Sequence, residues 1–262
     1  MSRAATTRLA RALRSGIAFQ RSQLASWGSR QRPGEASLIV CISSLLDAKR
    51  LAQLQRLLAK GRYQDGRLSA GWHARLVKNN RQLARDGGPG VAAKAEAVVR
   101  PALERSELFR AAALPRRIGP LLFSRYEEGM AYGAHVDDAV MSAADDLRSD
   151  ASFTVFLSAP QDYEGGELVI ESSGGEAAYK LDAGDVIVYP STSLHRVDPV
   201  TRGTREVAVG WVQSLVRDAA CREILFDLQT ARQLLFQEQG KSRGFDLLSK
   251  TYSNLLRRWA ET

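Results

Sequence analysis

Tyr126-Glu-Glu-Gly-Met-Ala-Tyr-Gly-Ala-His-Val-Asp137 is the stretch on which the reading of this chain turns. His135 and Asp137 are two residues apart, so in an extended strand both side chains leave the same face. His195 supplies a second imidazole sixty residues later, and Arg205 supplies a cation ten beyond that. The chain has 3 histidines in all, and two of them stand where a metal would need them. An unperturbed imidazole is largely neutral at pH 7, the form in which it ligates.

At 262 residues and 44% hydrophobic, the chain can bury one sizeable core. Its longest apolar runs, Leu38–Ile42 and Val186–Val188, are far shorter than the ~18 residues of a membrane-spanning helix. Cys41 and Cys221 lie far apart and form no metal or redox pattern. The net charge of +8 is unevenly placed. Residues 1–34 hold seven of the 37 Lys and Arg and none of the 29 acids, so the remainder carries 30 cations against 29 anions. A nearly neutral body gives no reason to expect a nucleic-acid partner.

The N-terminal arginines, from Arg3 to Arg32, are spread through Ser, Thr, Ala and Leu. On a helical wheel Leu9, Leu13 and Ile17 take one side, and Arg8, Arg11, Arg14 and Arg21 the other. This is the composition of an organellar transit peptide; the alternative is a disordered extension on a bacterial protein. The address is therefore mitochondrion or plastid in the first case and bacterial cytoplasm in the second. Either way residues 1–34 stand outside the fold, residues 35–217 form the main domain, and residues 218–262 form a helical extension.

From Glu35 the expected elements are a strand at Leu38–Ile42 and a helix carrying Leu46, Leu51, Leu54, Leu57 and Leu58. Ser44 is expected to cap that helix, with Asp47 reaching back and Gly61 as its stop. Residues 66–77 read as a further strand, 85–90 as a loop, and 91–104 as a second helix that Pro101 must end or kink. From residue 117 short β-like runs take over: 121–126, 131–136, 152–157, 167–170, 177–181, 185–189 and 206–213. Glycines at 165, 166, 174, 175, 184 and 203 punctuate them. Many short strands at near-regular spacing indicate a sandwich or jelly roll, with its core at about 117–215. Helices return at 219–238 and 245–259. The expected class is α+β, mainly β.

Two histidines and a carboxylate on one face leave coordination positions open for substrate and oxygen, the arrangement of non-haem Fe(II) oxygenases. Arg205 narrows the chemistry. In a strand it shares its face with Val207, Val209 and Trp211, opposite Glu206, Ala208 and Gly210, and so points inward. A buried unpaired guanidinium costs several kcal/mol. It needs an anion, either a dicarboxylate cosubstrate that also chelates the metal or a protein carboxylate such as Glu167. Arg202 lies in a turn, and Arg196 faces away from His195.

Residues 125–137 resemble the metal-binding strand of the prolyl/lysyl hydroxylase branch of Fe(II)/2-oxoglutarate dioxygenases. Tyr163-Glu-Gly-Gly-Glu-Leu168, Ala183–Ser191, Leu194-His-Arg-Val197 and Thr201-Arg-Gly-Thr-Arg205 continue the likeness. The bacterial PKHD-type hydroxylases are the most similar group, through a Val-Lys-Asn-Asn segment like Val77–Asn80 and helices after the barrel. The resemblance covers residues 38–240. It implies a double-stranded β-helix with flanking helices, iron on His135, Asp137 and His195, and the 2-oxoglutarate C5 carboxylate on Arg205. No catalytic residue is expected beyond the metal ligands.

Tyr126 matches a family tyrosine near the cosubstrate, or is an ordinary strand aromatic; Tyr132 reads as packing. Thr154 can face the pocket or away from it. Lys78, Asn79 and Asn80 are substrate contacts or a solvated loop, and His73 has no partner at ligand spacing. The implied reaction is O2-dependent hydroxylation of a small-molecule or peptide substrate, releasing succinate and CO2, with ascorbate as reductant. Self-association is left open. The competing readings are a cupin-like metal-binding module without turnover and a nucleic-acid demethylase of the same superfamily; the latter would want a basic face on the body.

Overall fold

Short alternating runs between glycine turns build two main antiparallel sheets and two two-stranded ribbons among the described residues. The computed structural model describes residues 38–85, 90–141 and 146–262, all within the unit Glu35–Thr262. The Arg-rich segment 1–34 and the middle of the 85–90 loop lie outside the described residues. The chain opens with β1 (Val40–Ile42), α1 (Ala48–Leu58), β2 (Tyr63–Asp65), β3 (Lys78–Asn79) and β4 (Arg81–Leu83), followed by α2 (Val91–Arg105) and α3 (Glu107–Ala113). Next come β5 (Pro115–Ile118), β6 (Leu122–Tyr126), β7 (Ala131–His135), and the ribbon of β8 (Val140–Met141) and β9 (Leu147–Arg148). β10 (Ala151–Phe156), β11 (Tyr163–Gly165), β12 (Leu168–Ser172) and β13 (Gly175–Tyr179) continue the chain. β14 (Val186–Pro190), β15 (His195–Val197), β16 (Val200–Gly203) and β17 (Arg205–Ser214) complete the strands, and α4 (Ala219–Gln239) and α5 (Arg243–Trp259) close it.

The larger sheet runs β1-β14-β10-β17-β6-β4-β2, with β5 also on β17; the smaller runs β13-β12-β15-β7-β3. Alternation along the larger sheet assigns its two faces. Phe153, Val155, Val186, Val188, Ala208 and Val212 pack against Leu54, Leu58, Val99, Leu103 and Phe109 of the helices. Phe156, Ile187, Tyr189 and Val207 point the other way, onto Leu168, Ile170 and Val197 of the smaller sheet. The result is a jelly roll with α1–α3 on its outer face, as the strand spacing predicts.

Three local expectations are corrected. Helix α1 is capped by Asp47, which accepts from Arg50 N at 2.8 Å. Ser44 instead has φ 56° and donates its N–H to Asp185 Oδ1. Residues 66–77 form no strand. The Asp65 carboxylate accepts from Arg67 N and starts a 3₁₀ turn at Gly66–Ser69, with another at Ala74–Leu76. Trp72, within that expected strand, is 77% exposed. Pro101 lies inside α2, which continues to Arg105. Its missing N–H is tolerated because Val99, Ala102 and Leu103, on both sides of it, are buried and hold the last turn in place.

At the far end Leu114, Val216 and Leu225 form a third apolar cluster, covered by Tyr252, Leu255, Leu256 and Trp259. Arg222 is buried there and donates to the carbonyls of Val216, Arg217 and Asp150, tying α4 to the sheet.

Candidate metal centre

Antiparallel pairing of β15 with β7 sets His195 opposite His135. Asp137 lies two residues past His135, just beyond the strand end. One ligand atom from each of the three falls within 4.8 Å of the others, with His195 Nε2 3.9 Å from Asp137 Oδ2. No other such cluster occurs among the described residues. His135 Nδ1 lies 2.8 Å from the Gly133 carbonyl and His195 Nδ1 3.0 Å from the Ser193 carbonyl. A carbonyl only accepts, so both Nδ1 atoms carry the proton and both Nε2 lone pairs are left free for a metal. Burial, and then the neighbouring His195, push the His135 imidazole down to about 4. It is neutral at pH 7, as a ligand must be.

The walls fix these rings. Tyr132 stacks on His135 at 3.6 Å between centroids, and Tyr189 meets His195 edge-on at 5.2 Å. Tyr132 is thus packing, as expected, but its packing partner is a candidate ligand. Ser152 donates to Asp137 Oδ2 at 2.5 Å and lies 2.7 Å from Ser191 Oγ. Thr154 lines the cavity near Tyr189, whose hydroxyl burial holds protonated.

Arg205 is 1% exposed, and its Nε and Nη1 have no hydrogen-bond partner. Glu167, the carboxylate weighed against a ligand for this arginine, approaches Lys180 at 3.7 Å instead. Arg202 pairs with Glu164, and Arg196 with Glu176 and Asp198. The guanidinium stands 5.1 Å from the Tyr126 ring centroid and 5.6 Å from that of Phe156. Aromatic faces attract a cation but accept no in-plane hydrogen bond. Arg205 and Tyr126 are Cα partners across β17 and β6, and both line one cavity together with His135, Asp137 and His195. The buried guanidinium without a carboxylate partner, beside two imidazoles and a carboxylate, fits a divalent metal together with an oxo-dicarboxylate.

Of the Val-Lys-Asn-Asn segment, Asn79 is exposed but Lys78 and Asn80 are buried in the cavity wall. Burial brings the Lys78 ammonium down to about 8. His73 stays on the surface, 4.0 Å from Asp138 Oδ1. Ser152 and Ser191 escape a reading of the sequence because strand parity admits them without giving them a task. Tyr163, whose buried hydroxyl also lacks a partner and lies near Arg205, left no signal beyond its place in the family-like segment.

Comparison with known proteins agrees with this geometry. Residues 121–213 match the model of the 2OG-Fe(II) oxygenase superfamily, and residues 218–261 that of the PKHD-type hydroxylase C-terminal domain. A PKHD-type hydroxylase of Synechococcus sp. (strain JA-2-3B'a(2-13)) is 58% identical over 225 residues, covering 86% of this chain and 100% of the relative. One from Gloeothece citriformis is 55% identical over 224 residues, with the same coverage. Among solved structures, a non-haem α-ketoglutarate-dependent carbocyclase of nogalamycin biosynthesis shares the fold at 12% identity, with a TM-score of 0.51 over 69% of this chain and 81% of that one. The chain belongs to the PKHD-type hydroxylase family of 2OG-Fe(II) oxygenases.

Proposed function

We propose that His135, Asp137 and His195 hold the Fe(II) and that Arg205 receives the far carboxylate of 2-oxoglutarate, in a hydroxylase of a small-molecule or peptide substrate. The observation that carries this is the Arg205 guanidinium, 1% exposed in the cavity that the metal triad lines, with no carboxylate partner among the described residues and with Nε and Nη1 free of hydrogen bonds. When bound, Fe(II) and 2-oxoglutarate supply O2 activation coupled to oxidative decarboxylation, with succinate and CO2 as products. The chain supplies the rest. The Gly133 and Ser193 carbonyls hold the imidazole tautomers, and Ser152 orients the Asp137 carboxylate. Arg205 fixes the cosubstrate by a charge-assisted fork. The apolar wall of Leu168, Val197 and Val209 excludes water. Tyr126 lines the cosubstrate end of the pocket, and ascorbate serves as the external reductant.

The deciding experiment loads the protein with Fe(II) and 2-oxoglutarate without oxygen, then admits O2 and measures succinate. Wild type forms succinate and His135→Ala forms none. Normal succinate formation by His135→Ala would sink the metal assignment, and absence of succinate from wild type would favour a cupin-like binding module. The two matched family segments meet between residues 213 and 218, which supports a domain boundary at 217. For residues 1–34 we retain the two addresses drawn from their composition; an organelle import assay on a reporter fusion separates them.

A further inference from the structure

Lys78 is a second cation in the cavity wall, distinct from Arg205. It lies on β3, the edge strand of the smaller sheet, in register with Tyr132 of β7. It is 7% exposed. Its Nζ donates to Ser69 Oγ at 3.0 Å, and Ser69 passes its own proton to Gln82 Oε1 at 2.5 Å. Gln82 Nε2 in turn donates to Ser124 Oγ. This chain of bonds spends one of the three ammonium donors. The Tyr132 face, 4.9 Å away, stabilises the charge without neutralising it. No carboxylate among the described residues pairs with Lys78, whereas buried lysines are rare without a partner. Asn80, two residues along the same strand path, has both amide atoms buried without a close hydrogen bond, near the Tyr126 hydroxyl. Gly66 makes room for that amide, since a Cβ there would fall 1.7 Å from Asn80 Oδ1.

We infer that Lys78, with Asn80 beside it, receives a carboxylate of the primary substrate. The inference rests on the assignment of Arg205 to 2-oxoglutarate, which leaves Lys78 free for a different anion. Tyr132 stacks directly on His135, so the ammonium stands one aromatic ring from the metal centre. A carboxylate held there keeps carbons a few bonds away inside the cavity that His135, Asp137 and His195 also line. A phosphate fits less well. It carries about −1.5 to −2 charge against one cation, with Asp137 and Asp138 also in the wall. The substrate is thus a small carboxylate, such as a free amino acid, or a peptide entering by a carboxylate.

The test is anaerobic equilibrium dialysis of the Fe(II)- and 2-oxoglutarate-loaded protein, with retained compounds identified by mass spectrometry. Three probe pools are used: free L-amino acids, the same amino acids as primary amides, and tripeptides with free C-termini. Wild type should retain members of a free-carboxylate pool and none of the matching amides. Lys78→Met should lose about ten- to hundredfold of that affinity, and Lys78→Arg should keep part of it. The amino-acid and tripeptide arms separate the two sources of the carboxylate. The inference is overturned if acids and amides are retained alike, if no pool is retained, or if Lys78→Met retains acids as wild type does. The acid-against-amide comparison needs no variant, so a folding defect in Lys78→Met does not protect the idea. Failure to retain 2-oxoglutarate itself points instead at the Arg205 assignment.

Discussion

The Ser152 hydroxyl donates to Asp137 Oδ2 at 2.5 Å, and Ser191 Oγ lies 2.7 Å from the same serine oxygen. Because the Ser152 proton is spent on the carboxylate, Ser191 must be the donor in the second bond. The pair therefore holds Asp137 Oδ2, the carboxylate oxygen that lies 3.9 Å from His195 Nε2, in place beside the imidazoles. Partners of this kind commonly contribute about 10- to 100-fold in metal affinity. Ser152→Ala should weaken Fe(II) binding by that factor in an anaerobic titration, and excess Fe(II) should restore turnover. An unchanged affinity would show that Asp137 orients itself without help.

Arg222 is a structural counterpart far from the metal. From α4 its guanidinium satisfies three backbone carbonyls, those of Val216 and Arg217 between β17 and α4 and that of Asp150 just before β10. Arg222→Met leaves those buried acceptors short of donors, at about 1–3 kcal/mol for each group left unsatisfied. A net loss of about 3 kcal/mol lowers Tm by roughly 6–12 °C for a domain of this size. Thermal unfolding of the variant should show this; a Tm within two degrees of wild type would mean that water replaces the arginine.

Much of the site was legible because strand parity is a strong rule. His135 and Asp137 on one face, and Arg205 on the face of Val207 and Val209, follow from a period of two and are found in the structure. The same rule fails between Gly66 and Val77. There Leu68, Ala70 and Trp72 alternate, yet the Asp65 side chain turns the chain into 3₁₀ geometry before any strand can form. Alternation in a segment with so few buried neighbours carries no energy, so the capping hydrogen bond decides. The helix start was misplaced for a similar reason: Ser44 and Asp47 both suit a cap, and the choice is made by Asp185, 141 residues away, which binds the Ser44 N–H. The unpaired state of Lys78 had no local signal at all, because it depends on which carboxylates the fold leaves out of reach.

Burial of Lys78 also makes stability depend on pH. Its ammonium is brought down to about 8 from an ordinary 10.5. Below pH 8 both the folded and unfolded chains carry the proton, and the folded chain bears the full cost of the buried charge. Between pH 8 and 10.5 the folded chain releases the proton first, so the unfolded chain binds more protons and stability attributable to this residue rises with pH. Lys78→Met should therefore be more stable than wild type at pH 7 by about 3 kcal/mol. The gap should narrow as pH climbs from 8 to 10. Denaturant melts of the metal-free proteins at pH 7, 8.5 and 9.5 check this, and a gap that widens with pH would contradict it.

Arg205 gives the sharpest test, because its burial is unfavourable until an anion arrives. With Nε and Nη1 unpartnered at 1% exposure, the guanidinium penalises the folded protein in the absence of cosubstrate. Arg205→Met fills a similar volume without the charge. It should match or exceed the wild-type Tm when 2-oxoglutarate is absent. Adding 2-oxoglutarate and metal should raise the wild-type Tm by mass action and leave the variant nearly unmoved. In turnover the variant should lose about 2–5 kcal/mol of cosubstrate binding, the cost of removing one partner from a buried charge pair. This appears chiefly as a raised KM for 2-oxoglutarate. A Tm rise on 2-oxoglutarate equal to that of wild type would place the cosubstrate carboxylate elsewhere, and Lys78 would then be the next cation in the cavity to test.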